Sequence, residues 1–431
     1  MTALLQANGN LGLIATNTVA QGDSREVGLD AMVADGFTIT RAIQSRSWPA
    51  ASANLEYAAV WGTLGDVGPD IPRVADDVAV GSISTLLEPA GRVTGNPFRL
   101  PGNVGVAYIG CYPLGMGFVV DVDEAQEWIA ADSRNAEVLF PYLNGEDLNS
   151  RPDSSASRWV IDFNDWAEER AREYQLPYQR VAERVRPERQ RRKPDGSYVL
   201  RKPLPDRWWQ YGDKRPALRR AIADLPEVLL IALVSKSVMP MRVATDQVFS
   251  HALGVFASDS YSVQAVLSSS LHQLWAITYG STLETRVRYT PSDVFETFPL
   301  PPAGGRLDAV GRSLDEERRE TMLRRDLGLT KLYNLVNDPE IQGDEDVDRL
   351  REIHVEIDAA TTAAYGWDDI RLGHGFHNFR QAQRWTVSPS ARLESLDRLL
   401  FENHRRSEHI ERHRQSGTSG VSGSQEGTLF S

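Results

Sequence analysis

Cysteine is almost absent: Cys111 is the single thiol in 431 residues. One thiol excludes an intramolecular disulfide and a zinc site built on cysteine pairs. Its neighbours, Ile109, Gly110, Tyr112 and Pro113, are apolar or small, which points to a buried structural thiol and not a nucleophile. Long apolar runs are missing too. The longest, such as residues 228–234, fall far short of the roughly 18 residues that would cross a bilayer. The first residues lack the charged and apolar segments of a secretory signal. The expectation is a cytoplasmic protein with no membrane contact. Lysine is scarce: five of the 47 basic residues are lysine and the rest arginine, whose rigid fork of donors matches phosphate and guanine.

What is present is enough apolar residue for real cores. The chain is 41% hydrophobic and 25% charged, as for a globular protein of two to three domains. The net charge of −12 hides a strong asymmetry. Residues 170–220 hold 16 Lys and Arg against six Asp and Glu, so the rest of the chain sums to about −22. A basic island threaded with Trp and Tyr inside an acidic protein is the charge pattern of a polyanion-binding face. The competing reading is a solvated helical face. The spacing of Glu169, Arg172, Glu173, Glu183, Arg184 and Glu188 fits that reading over the first half. Prolines and glycines in 186–211 predict a loop or hairpin, able to enter a groove or track a backbone. Arg189, Arg191, Arg192, Lys193, Lys214 and Arg215 are the expected DNA contacts, and Trp208 and Trp209 fit a core.

In chain order, residues 4–16 read as a Gly turn and a buried strand, and 17–36 as a polar opening followed by a helix. Two more strands follow, FTITRAIQS and NLEYAAVWGTLG. This strand–helix–strand–strand order is the closing third of a larger α/β sheet, whose first strand would then present an unpaired apolar edge. Residues 67–105 read as a linker with one or two short strands. Residues 227–261 contain strand-like segments, SVQAVLSSSLHQLWAITYG an amphipathic helix, 306–351 charged helices, and 416–431 a flexible tail.

Several motifs, taken in order, resemble one family. They are GLIATNTVAQGDSREVGL, SRSWPASANLEYAAVWGTLG, the GMGF turn, PYLNGEDL, RWVIDF, RYTPSDVFETFPLP at 288–301, and AYGW. The resemblance spans residues 4–410 and is to the C-terminal half of MmeI-like type IIG restriction-modification enzymes and of related adenine-N6 DNA methyltransferases of DISARM and BREX phage defence. It implies an α/β portion, the last three strands of a Rossmann-like methyltransferase sheet, in residues 1–66. It also implies an α+β target-recognition domain over 106–300 and a helical C-terminal region over 301–415. It further implies double-stranded DNA as a partner and S-adenosylmethionine as the cofactor of the complete enzyme. Trp48, with Pro49, occupies the place of an aromatic-Pro element that stacks on a flipped adenine.

The family's Gly-rich cofactor loop and its Asn-Pro-Pro-aromatic motif are not in these residues, and Asn96-Pro97-Phe98 lacks the second proline. The chain alone is therefore expected to be inactive and to bind no S-adenosylmethionine, with an N-terminal methyltransferase half or methylase subunit as partner. A non-enzymatic DNA-binding specificity subunit is the alternative. Glu146, Asp147 and Asp162 lack the lysine pattern of a metal nuclease. His354, Asp358, His374 and His377 lack metalloprotease spacing, so hydrogen bonding and capping are the expected roles and no metal is expected.

Overall fold

A computed structural model describes residues 5–20, 22–48, 56–68, 70–89, 91, 93, 95–283, 286–379 and 382–418. The first sheet is built from β1 (Asn10–Thr16), β2 (Phe37–Ser47), β3 (Glu56–Leu64), β4 (Arg73–Ala75) and β5 (Val78–Val80), in the order β1-β3-β2-β4-β5. β3 runs antiparallel to both β1 and β2, so β1 and β2 are parallel to each other and flank it. The connection between them is a 3-10 turn over Asn17–Ala20 and a helical stretch over 22–34. Leu29 and Met32 of that stretch pack on Phe37, Ile39, Ala58 and Val60. Parallel strands need such a crossover, because a tight turn cannot reverse the chain twice.

Two expectations change here. β1 is not buried: its residues alternate between exposed and half-buried, and Ile14 is 60% exposed. It lies at the end of the sheet, with a strand on one side only among the described residues. β4 and β5 do not stand apart as a linker. β4 pairs parallel with β2 through Arg41↔Val74 and extends the same sheet.

The second region has two sheets over two cores. One has the order β13-β8-β9-β7, from β7 (Val119–Val120), β8 (Leu139–Leu143), β9 (Trp159–Ile161) and β13 (Val248–Phe249). It packs with helices α1 (Val122–Ala131) and α2 (Gln175–Arg184) around Phe118, Val160, Phe163, Val181, Trp208 and Trp209. The other has the order β12-β10-β14-β6, from β6 (Ala107–Ile109), β10 (Glu227–Ala232), β12 (Met241–Ala244) and β14 (Leu253–Phe256). β10 is buried on both faces, which explains its unbroken Val-Leu-Leu-Ile run. A small third sheet joins β11 (Val234–Ser235), β15 (Ser281–Leu283) and β16 (Arg286–Arg288).

The expected amphipathic helix over 262–280 is two helices, α4 (Tyr261–Ser268) and α5 (Ser270–Tyr279). Ser260 and Ser269 each accept a hydrogen bond from a first-turn N–H, and the extended backbone at Ser269 separates the two. Neither helix has a polar face. Gln264, Ser268 and His272 are fully buried because α6 (Gly305–Arg325), α8 (Glu345–Ala364) and α9 (Pro389–Thr418) enclose them. α7 (Leu329–Val336) completes this layer. The expected tail begins inside α9, since residues 416–418 are helical; residues 419–431 lie outside the described residues. Among the described residues, no helix is long and apolar enough to cross a membrane.

This core contains two neutral histidines. His272 Nδ1 lies 2.8 Å from the Leu267 carbonyl and its Nε2 3.0 Å from the Tyr289 hydroxyl. His354 Nε2 lies 2.8 Å from the Tyr333 hydroxyl. Burial pushes both down to about 4. The unfolded chain therefore takes up two protons below its histidine pKa of about 6.5 that the folded chain refuses. Stability is full above that pH and falls as pH drops toward 4, by up to about 2.7 kcal/mol per pH unit for two groups. Urea denaturation is expected to show a lower midpoint at pH 5 than at pH 7, and His354→Gln to roughly halve the difference.

Candidate nucleic-acid interface

The basic island is not a uniform positive surface. Four of its cations pair with carboxylates that lie outside it in sequence. Arg172 reaches Glu168 at 2.8 Å, Arg180 reaches Glu124 at 2.7 Å, Arg219 reaches Asp162 at 2.6 Å, and Lys214 bonds Asp165. Charge counted along 170–220 therefore overstates what the surface presents.

Arg189 is the clearest departure from expectation. It is 1% exposed and turns into the protein. Its guanidinium donates to the carbonyls of Pro113 (2.5 Å), Leu114 (2.9 Å) and Gln210 (2.5 Å), and it lies 5.2 Å from the Phe118 ring. Burial lowers its pKa to about 10. Its place on a short helical turn, Arg186–Arg189, points the side chain at the 113–114 loop, so Arg189 ties loops together and is not available to a nucleic acid.

Three expected contacts do come together at a hairpin tip. Arg192 and Tyr198 form a bridge, Lys193 N–H donates to Ser197 O (2.8 Å), and Val199 N–H donates to Arg191 O (2.9 Å). The turn is Lys193-Pro194-Asp195-Gly196. Proline fixes its φ, the Asp195 carboxylate accepts from Ser197 N–H and Oγ–H, and Gly196 takes φ +82°. These two hydrogen bonds hold the Asp195 carboxyl below its usual range. Residues 191–197 are all exposed. The Arg192 guanidinium lies 4.4 Å over the Tyr198 ring and bonds Gly196 O and Tyr198 Oη. The side chains of Arg191 and Lys193 make no hydrogen bond or ion pair among the described residues. The tip is a rigid turn presenting three cations to solvent.

Lys214 and Arg215 lie elsewhere. Lys214 is held between Asp165 and Gln210 Oε1. Arg215 sits at φ +52°, bonds the Gly110 carbonyl (3.3 Å) and pairs with Asp213 (3.1 Å). Trp48 follows directly on β2 of the first sheet. It is 41% exposed and meets Tyr57 edge-on at 5.4 Å, with one neighbour, Pro49, outside the described residues. Trp208 and Trp209 are core residues, 2% and 8% exposed. The four residues weighed for metal binding are hydrogen-bonded: His374 Nε2 to Asp358 (2.8 Å), Asp358 to Ser270 N–H (2.7 Å), His354 to Tyr333, and His377 Nε2 to Gly373 O (2.9 Å).

The sequence reading missed a groove of about 340 Å³ between β8, β13 and the helix α3 (Pro216–Ala221), lined by Asn164, Arg219, Thr245 and Gln247 over Cys111 and Asp162. Cys111 is buried and its thiol is pushed up to about 11, which makes it inert. The available signals were Cys111, read as a buried structural thiol, and Asp162, weighed as a metal ligand and set aside.

Residues 109–302 match the family described as MmeI, target recognition domain. Among solved structures, the chain is similar to the type IIL restriction-modification enzyme MmeI in complex with DNA. The TM-score is 0.67 at 17% identity, over 94% of this chain and 50% of that one. The chain thus spans about half the length of MmeI. A second solved structure, the type IIG restriction endonuclease BpuSI, gives a TM-score of 0.30 at 11% identity, over 85% and 48% of the two chains. No curated protein matches. The cationic hairpin tip lies within the residues, 109–302, that match the MmeI target recognition domain.

Proposed function

We propose that this chain is the DNA-recognition part of a site-specific adenine-N6 DNA methyltransferase of a restriction-modification or phage-defence system. The observation that carries this reading is the cationic tip at Arg191, Arg192 and Lys193 inside residues that match a target recognition domain. Exposed arginine and lysine on a rigid turn supply phosphate contacts and bidentate readout of guanine.

The first sheet supports the methyltransferase half of the reading. Its parallel β1 and β2 are joined by a helical crossover with β3 inserted antiparallel between them, and the outer edge of β1 is open among the described residues. An open edge carrying a 60% exposed isoleucine is a template for further strands. A methylase half, on a second chain or upstream on the same one, would add those strands. The sequence holds no Gly-rich loop after a strand, so these residues do not form the S-adenosylmethionine cradle and that half must hold the cofactor. This chain binds the duplex and supplies one wall of the base pocket. Trp48, steadied edge-on by Tyr57, offers an indole face to an extruded adenine.

Calorimetry tests the enzymatic part. With duplex DNA present, S-adenosylmethionine is expected to bind only when the methylase half is added. Binding by this chain alone would misplace the cofactor site. Absence of binding with both would leave a non-enzymatic specificity subunit.

A further inference from the structure

The C-terminal region holds a two-stranded hairpin beyond the residues that match the recognition domain. β17 (Gly375–Phe379) pairs antiparallel with β18 (Ala382–Thr386), setting Phe376 opposite Trp385 and Asn378 opposite Gln383. A two-stranded hairpin alone is at best marginally stable in water, and this one is anchored at its root. Phe376 and Trp385 meet edge-on at 5.2 Å, and the Arg351 guanidinium of α8 lies 4.9 Å and 5.6 Å from their rings. Trp385 N–H donates to Asn337 Oδ1 at 3.1 Å. Arg384 donates to the Lys236 carbonyl and Arg392 to the Asn378 carbonyl, both at 2.9 Å. Farther out, Asn378 and Gln383 share a face by register and are exposed.

The chemistry of this segment is one-sided. Between Asp369 and Glu394 the chain has four arginines, two histidines and no carboxylate, in a protein of net charge −12. Arg371 is exposed and forms no ion pair among the described residues. The bond to the Lys236 carbonyl sets the hairpin beside β11 of the recognition domain, where the Lys236 side chain is likewise exposed and unpaired among the described residues. A ribbon with exposed amides and no carboxylate, next to free cations, complements duplex DNA. Asn and Gln match the paired donor and acceptor on an adenine edge, and a two-stranded ribbon fits a major groove.

We propose that the β17–β18 hairpin is a second DNA-contacting element, lying against the duplex that the recognition domain engages. Asn378 and Gln383 face a groove and Arg371 meets a phosphate. This rests on the DNA-recognition reading above, and the test separates the two. Cys111 is 3% exposed, so a single new cysteine can be labelled cleanly. Gln383→Cys, Lys193→Cys and Glu316→Cys in the full chain would each carry a photoactivatable aryl azide and be irradiated with a random-sequence duplex. Crosslinks are expected at 383 and 193, with only background at 316 on the acidic face of α6. Crosslinking at 193 with background at 383 would overturn the hairpin and leave the recognition domain standing. Background at all three would overturn both. Arg371→Gln is expected to reduce the slope of log affinity against log salt by about 0.9, the value for one phosphate; an unchanged slope would overturn the phosphate contact.

Discussion

Arg189→Ala is expected to destabilise the protein by on the order of 3–5 kcal/mol while leaving the cationic tip chemically intact. The guanidinium is the shared donor to the carbonyls of Pro113, Leu114 and Gln210. Removing it strands buried acceptors, each costing about 1–3 kcal/mol, and opens a cavity beside Phe118. Arg189→Lys keeps a charge but not the fork, so it should recover only part of the loss. Urea denaturation reads the effect as a lower midpoint at constant slope. A wild-type midpoint with weakened DNA binding would mean that the side chain turns outward.

The opposite pattern is expected for Arg191, Arg192 and Lys193 changed together to alanine. These side chains stand on an exposed turn whose hydrogen bonds are mostly backbone and Asp195. The denaturation midpoint should stay where it is. The slope of log affinity against log salt should become shallower by about 2.7, three phosphate contacts at 0.9 each. A fourfold rise in salt would then weaken the unaltered chain roughly 40-fold more than the variant. An unchanged slope would return the tip to the status of a solvated surface.

These two predictions divide one short stretch that the sequence treats as uniform. The turn itself was legible, because Lys-Pro-Asp-Gly is a local signal: proline sets φ, aspartate caps, and glycine takes the left-handed position. The fate of Arg189 was not. Its partners lie about 75 residues upstream and 21 downstream, and no count of charge along the chain registers them. The ion pairs that quiet Arg180 and Arg219 were hidden for the same reason, their partners lying 56 and 57 residues away, whereas Arg172 pairs locally with Glu168. Helical periodicity failed over 262–280 because α6, α8 and α9 cover every face, so Gln264 and His272 read as a polar face while lying in the core. The element order of the first sheet along the chain, strand–helix–strand–strand, followed the local pattern, whereas its strand order and the exposure of β1 depend on what lies beside each strand in space. The order of the family motifs proved the most informative feature, since the recognition-domain match falls on the residues that carry GMGF, PYLNGEDL and RWVIDF.

Sequence selection tests the central claim most directly. The full chain would be incubated with a pool of random duplexes at physiological salt, and the bound fraction sequenced through successive rounds. A target recognition domain reads base edges, and each mismatched base pair typically costs about 1–3 kcal/mol, so one short motif should dominate the recovered pool. Recovery of DNA with no enriched motif would reduce the cationic tip to backbone binding alone. Recovery of no DNA would contradict the account.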